Sequence, residues 1–220
     1  MQLDTVEIET GPTPQTSIII LHGLGADGSD FAPFCDELNL SAIGPVRFVM
    51  PSAPVMPVSI NGGYEMRAWY DILPTNDPTR REDEASLRRS HLAINTLIER
   101  EAQRGVAPER IVLMGFSQGC AMALMAGLRY PQALGGIIAL SGYLPLPQFT
   151  QAERHAANQR TPIFMAHGQH DDVVLMSRGA AARDQLRQWG YRVDWHDYPM
   201  THSLCLDEVQ DINQWLLGQW

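Results

Sequence analysis

Six short runs rich in β-branched and other apolar residues recur along the chain, at 17–21, 47–50, 111–114, 136–140, 162–166 and 192–198, with helical patterns between them. Strands that alternate with helices predict parallel pairing through crossover connections. The central runs are apolar at nearly every position rather than at alternate ones, which suits strands covered on both faces. The pattern therefore predicts an α/β fold: a mostly parallel central sheet with helices on both sides.

Residues 81–104 carry Ala85, Leu92, Ala93, Leu97 and Ile98 at helical spacing, charge opposite them, and Gly105 as a stop. Residues 118–129 are apolar almost all round, as expected of a helix in the middle of the fold. Two further helices, 178–189 ending at Gly190 and 207–217 with Val209, Ile212, Trp215 and Leu216 together, are expected to cover the sheet. Residues 51–78 and 142–160 lack a clear period, and long irregular stretches in compact domains are commonly functional. The first of them sets Val55, Met56, Ile60, Met66 and Trp69 among prolines and glycines.

With 220 residues, 45% of them hydrophobic and 19% charged, the chain is expected to form one domain, 1–220, around one core. The net charge of -9, with its basic residues dispersed, gives no footprint for nucleic acid. Cys35, Cys120 and Cys205 are odd in number and form no C-x-x-C pair, so free thiols in a reducing compartment are expected. Residues 1–15 are polar and acidic, without the apolar run of a signal peptide, and no 18 apolar residues occur together. A soluble cytoplasmic protein with no stable membrane insertion is the expectation.

Chemistry enters at Gly115-Phe116-Ser117-Gln118-Gly119, which lies between a β-type run and a helix. The pentapeptide alone is common, but at a sharp strand-to-helix turn it holds a serine hydroxyl out at the sheet edge, with the flanking glycines removing β-carbons that would clash. The helix that follows aims free N–H groups at the serine, and the Gln118 N–H is one natural donor to an oxyanion. A serine hydroxyl needs a base within reach and a group that orients the base, in the chain order Ser, acid, His for this fold. The run 162–166 ends in His167-Gly168 and then Asp171-Asp172, one of which is the acid. His202 is the base expected between the last strand and the last helix, whereas His196 falls within an alternating strand pattern. The early strand runs into His22-Gly23-Leu24-Gly25, where the Leu24 N–H is the expected second oxyanion donor.

Taken together, Leu21-His-Gly-Leu-Gly-Ala-Asp-Gly28, Pro51-Ser-Ala-Pro54, Arg67-Ala-Trp-Tyr-Asp71, Gly115-Phe-Ser-Gln-Gly119, His167-Gly-Gln-His-Asp-Asp-Val-Val174 and His202-Ser203 span almost the whole chain. On these motifs the chain resembles the carboxylesterase and acyl-protein thioesterase family of α/β-hydrolases. The resemblance implies an α/β-hydrolase fold with no large cap domain, and it assigns Asp171 rather than Asp172 as the acid. It also implies oxyanion donors at Leu24 and Gln118, hydrolysis of short to medium acyl esters or of thioesters on S-acylated proteins, and no metal or organic cofactor. Many family members are homodimers, so a homodimer is compatible with it. The apolar residues Val55, Met56, Ile60, Met66 and Trp69 are expected to border an open acyl groove, with core packing the competing role for Met56 and Met66 and the favoured one for Trp69. Thr201 departs from the family, which usually has Gly there, and its β-carbon restricts the backbone of the His202 loop.

Three other readings compete. One is a lysophospholipase-type lipid hydrolase. Another is a metal hydrolase built on His167, His170, Asp171 and Asp172, which would be sensitive to chelators. The last is a binding protein of the same fold without chemistry.

Overall fold

The computed structural model describes residues 3–75 and 81–220. Its centre is a seven-stranded sheet of β1 (Thr5–Glu9), β2 (Thr16–Leu21), β3 (Val46–Pro51), β4 (Ile111–Phe116), β5 (Gly136–Leu140), β6 (Ile163–Gly168) and β7 (Val193–Tyr198). The spatial order is β1-β3-β2-β4-β5-β6-β7, with β1 antiparallel to β3 and every other pair parallel.

Strands β2 to β6 are buried along their whole length except at Phe116, because helices cover both faces. Successive residues serve opposite cores, as the two-residue period of a strand requires. Ile19, Leu21, Ile111 and Leu113 pack on one side with α2 (Glu84–Gln103), α3 (Gln118–Arg129) and α5 (Met176–Gln188). Ile18, Ile20, Val112 and Met114 pack on the other with α1 (Ala32–Glu37) and α6 (Leu206–Leu217). A shorter helix, α4 (Pro147–Glu153), lies within the irregular stretch 142–160.

Three details differ from the expected pattern. Strand β1 arises from the polar N-terminal segment: it is an edge strand, and Glu7 and Glu9 on it pair with Arg100, Arg104 and Arg47 instead of entering a core. The buried stripe of α2 runs through Leu87, Ser90, Ala93, Ile94, Leu97, Ile98 and Glu101, while Ala85 and Leu92 face outward. The stretch 51–75 contains an antiparallel hairpin of Val55–Val58 and Tyr64–Arg67; residues 76–78 lie outside the described part.

The ends of β2, β4, β6 and β7 open on one edge of the sheet, and every candidate catalytic residue sits in a loop leaving one of these carboxyl ends. This is where open α/β sheets bind ligands. Among the described residues no helix is long and apolar enough to cross a membrane.

Candidate active site

Ser117 stands between β4 and α3 with φ 56° and ψ -115°, a conformation that L-residues avoid unless their surroundings enforce it. Backbone crowding explains the flanking glycines. A β-carbon on Gly115 would lie 2.1 Å from the Gly119 carbonyl oxygen, and one on Gly119 would lie 1.9 Å from the Leu21 carbonyl oxygen. Gly119→Ala must therefore push α3 off the end of β2. We expect a loss of about 3 kcal/mol or more in stability, at the upper end of overpacking costs, measurable by urea denaturation; parent-like stability would refute the close contact.

The acid loop is built around Asp171, whose side chain is buried. Its Oδ1 accepts from the Val173 and Val174 N–H groups at 2.9 and 2.8 Å. Its Oδ2 meets His202 Nδ1 at 2.7 Å. The same oxygen lies 3.3 Å from His167 Nε2, which donates mainly to the Val174 carbonyl at 2.7 Å. Burial depresses the His167 pKa, which keeps it a neutral donor beside the acid. Asp172 and His170 are exposed while His167 and Asp171 turn inward, so the four residues of the sequence cluster do not converge.

His202 rides on the loop between β7 and α6, with the Phe116 ring 4.7 Å from its own. Thr201 is exposed and does not have a positive φ, so the backbone here does not require glycine and the β-carbon is accommodated. His196, the alternative base, instead stacks on Phe164 at 4.7 Å in the edge strand. With His202 Nδ1 committed to Asp171, Nε2 is the nitrogen left to act on a substrate, and His202 and Ser117 line one cavity. The Ser117 hydroxyl makes no hydrogen bond to the ring, whose one side-chain partner is Asp171 among the described residues; such catalytic contacts commonly tighten only with substrate.

The third loop follows β2. His22 is buried; its Nδ1 lies 2.7 Å from the Gly23 carbonyl and its Nε2 accepts the Ala53 N–H at 2.9 Å. These partners require the neutral tautomer protonated on Nδ1, in line with a pKa lowered by burial. Gly25 donates to the Arg67 carbonyl at 2.8 Å, which anchors the hairpin to this loop. Among the described residues neither the Leu24 nor the Gln118 backbone N–H has a protein acceptor. The Gln118 side chain is occupied elsewhere, accepting from Trp69 N and donating to the Tyr70 carbonyl.

The cavity has a volume of about 620 Å³ and runs from Ser117 and Leu24 past His202 to Phe31, Phe34, Leu204 and Val209. None of Val55, Met56, Ile60, Met66 or Trp69 lines it. Trp69 does not border the groove but takes the core role: it has no exposed surface, and its indole N–H is bonded to the His22 carbonyl at 2.9 Å, so it supports the loop from below. The other four belong to the hairpin and its turn, and of them Met66 lies beside Gly25. The signal for the cavity wall was the Phe31-Ala-Pro-Phe34 segment just after the glycine loop, which period alone marks only as a short helix.

Of the thiols, burial pushes Cys35 and Cys120 up to about 12, so neither is a nucleophile at neutral pH. Glu208, the third residue of α6, is fully buried, and among the described residues its carboxyl has no hydrogen-bond partner of ordinary geometry. Burial raises it from 4.5 to about 8, opposed only by the nearby Cys205 N–H. The unfolded chain releases this proton near 4.5 while the folded one keeps it to about 8, so stability falls as pH rises through that window. Glu208→Gln should therefore be more stable than the parent at pH 8.5 by a few kcal/mol, with the difference vanishing near pH 4.5. Equal melting temperatures at both pH values would contradict it.

A mostly parallel sheet with a strained serine at the turn into α3, and a carboxylate-bound histidine that lines one cavity with that serine and Leu24, defines an α/β-hydrolase. The Phospholipase/Carboxylesterase family matches residues 3–218, and the chain belongs to that family of carboxylic ester hydrolases. Acyl-protein thioesterase 1 of Yarrowia lipolytica is 37% identical over 215 residues, covering 96% of this chain and 95% of the relative. The protein of that name from Neurospora crassa is 40% identical over 208 residues, covering 91% and 85%. Among solved structures, Arabidopsis thaliana SOBER1 superposes with a TM-score of 0.87 at 31% identity, covering 93% of this chain and 98% of that one. Zea mays acyl-protein thioesterase 2 gives a TM-score of 0.84 at 26% identity, covering 98% of both.

Proposed function

We propose that this protein hydrolyses acyl esters and thioesters through an acyl-enzyme on Ser117, with His202 as base, Asp171 orienting it, and the Leu24 and Gln118 N–H groups receiving the oxyanion. The observation that carries this reading is the 2.7 Å contact between His202 Nδ1 and Asp171 Oδ2, which leaves Nε2 free in the cavity that Ser117 lines. Asp171 has both oxygens engaged by donors, so it holds the ring without being required to take its proton. The N-terminus of α3 adds its dipole to the two open N–H groups where negative charge develops.

The names of the thioesterase relatives support S-acylated proteins as substrates, and the absence of any inserted domain over the cavity suits a bulky acyl carrier. Met66, beside Gly25, with Val55, Met56 and Ile60 on the same hairpin and its turn, provides an apolar edge for an acyl chain leaving the carbonyl on that side. The buried, unpaired thiols Cys35 and Cys120 suit a reducing compartment, as in cytoplasm.

The test is an activity screen of p-nitrophenyl esters from acetyl to dodecanoyl, S-acyl peptides and lysophospholipids side by side. The reading expects turnover of both oxygen esters and S-acyl peptides, with a chain-length optimum. Hydrolysis confined to lysophospholipids would replace it with a lipid hydrolase, and no turnover of any class would leave a binding protein.

A further inference from the structure

We propose that the cavity beside His202 is the leaving-group subsite, and that Asp30 and Glu37 make it select an apolar leaving group that carries a positive charge. This rests on the reading of Ser117 and His202 given above. In that reaction Ser117 Oγ bonds the acyl carbon, the bond from that carbon to the departing oxygen or sulfur breaks, and the proton that His202 took from Ser117 passes to the departing atom. The departing group therefore has to lie against the Nε2 edge of the His202 ring, because Nδ1 is held by Asp171.

The cavity takes in His202 but not Asp171, the partner of the Nδ1 edge. Its wall is His202 itself, the next two residues Ser203 and Leu204, and Phe116, whose ring packs on the imidazole. Beyond them it is closed by Phe31, Phe34 and Val209. The hairpin residues that could border an acyl chain lie off this cavity, with Met66 beside Gly25, so acyl and leaving groups have separate surfaces to follow.

Charge gives the cavity its direction. Asp30 and Glu37 line it, and no lysine or arginine does. Among the described residues neither carboxylate has an ion pair or a side-chain hydrogen bond, in contrast to Asp27 nearby, which is satisfied by Ser29. Two unneutralised carboxylates on an apolar wall favour a cation at the far end of the leaving group and oppose a phosphate or carboxylate there. A thiol-bearing peptide with basic neighbours, or an alcohol bearing a quaternary ammonium, has this chemistry.

The experiment uses octanoyl esters of three phenols of similar size: 3-hydroxyphenyltrimethylammonium, 3-tert-butylphenol and 3-hydroxybenzoate. Dividing each kcat/KM by that of the neutral ester, and comparing parent with the Asp30→Asn, Glu37→Gln double variant, cancels the intrinsic reactivity of each ester. The cation-to-neutral ratio should fall about threefold to tenfold in the double variant, and the anion-to-neutral ratio should rise, as expected for two solvent-facing charges. The effect should shrink at 1 M salt. An unchanged ratio would overturn the charge selection.

The position of the subsite is tested separately with Leu204→Ala by rapid mixing. A leaving group has departed before the acyl-enzyme is hydrolysed. The variant should slow acylation by the tert-butylphenyl ester, with acyl-enzyme breakdown at the parent rate. Slower breakdown that varies with acyl chain length would instead place the acyl chain in this cavity and overturn the proposal. A parent enzyme that turned over with no octanoyl adduct on Ser117 after acid quench and no partitioning of the acyl group to added methanol would remove the acyl-enzyme reading itself, an outcome distinct from either of these.

Discussion

Ser117→Ala is expected to lower kcat by about four to six orders of magnitude, leaving only what the N–H groups and binding supply, as serine deletions do in other triad hydrolases. Stability should change little, since the strained φ is enforced by the close packing at Gly115 and Gly119 and not by the hydroxyl, which has no hydrogen-bond partner among the described residues. Steady-state kinetics together with a urea melt separates the two quantities. A variant that retained a tenth of the parental rate would end the assignment of Ser117, and one that lost activity only by unfolding would leave the strain argument wrong.

Asp171→Asn should cost about four orders of magnitude in kcat for a different reason. The amide oxygen can keep the Val173 and Val174 N–H donors, now met by Oδ1 at 2.9 and 2.8 Å. The amide NH2 then faces His202 Nδ1, which must become an acceptor. That puts the imidazole proton on Nε2, the nitrogen that has to accept a proton from Ser117. His167 Nε2, 3.3 Å from the same position, presents a second donor against the NH2, so flipping the amide is the alternative and breaks the valine contacts instead. Asp172→Asn is the control: that residue is exposed, and its change should alter kcat less than twofold. Comparable losses in the two variants would contradict the geometry of the acid loop.

Much of this arrangement was legible in the chain. The strands β2 to β6 read directly because burial on both faces demands unbroken apolar runs, and α3 read to the residue because the middle of the fold leaves it no polar face. The loops carrying Ser117, Asp171 and His202 follow from strand ends and chain order, since the sheet delivers all three to one edge. What escaped depends on tertiary partners. Strand β1 was hidden because an edge strand paired on one side needs no apolar period, and its glutamates are held by arginines from α2 and β3 that are distant in sequence. Leu92 satisfies the helical period of α2 but faces water, since that helix buries Ser90 and Glu101 against specific polar partners in place of further apolar ones.

The substrate surface was the least legible part. Trp69 and Met66 are close in sequence and similar in hydropathy, yet one is sealed beneath the His22 loop and the other lies by Gly25 on the hairpin. The cavity wall joins α1, the Phe116 turn and the start of α6, three segments whose meeting only the packed sheet creates. Thr201 is the converse case: a departure in sequence that the backbone absorbs, because its φ is not positive.

Treating the folded, active protein with a fluorophosphonate and mapping the adduct by peptide mass spectrometry is the most direct trial of the nucleophile. We expect a single adduct on Ser117, activity lost in proportion to labelling, and no adduct on Ser117→Ala. An active preparation that took no label, or an adduct on any other side chain with Ser117 unmodified, would contradict it.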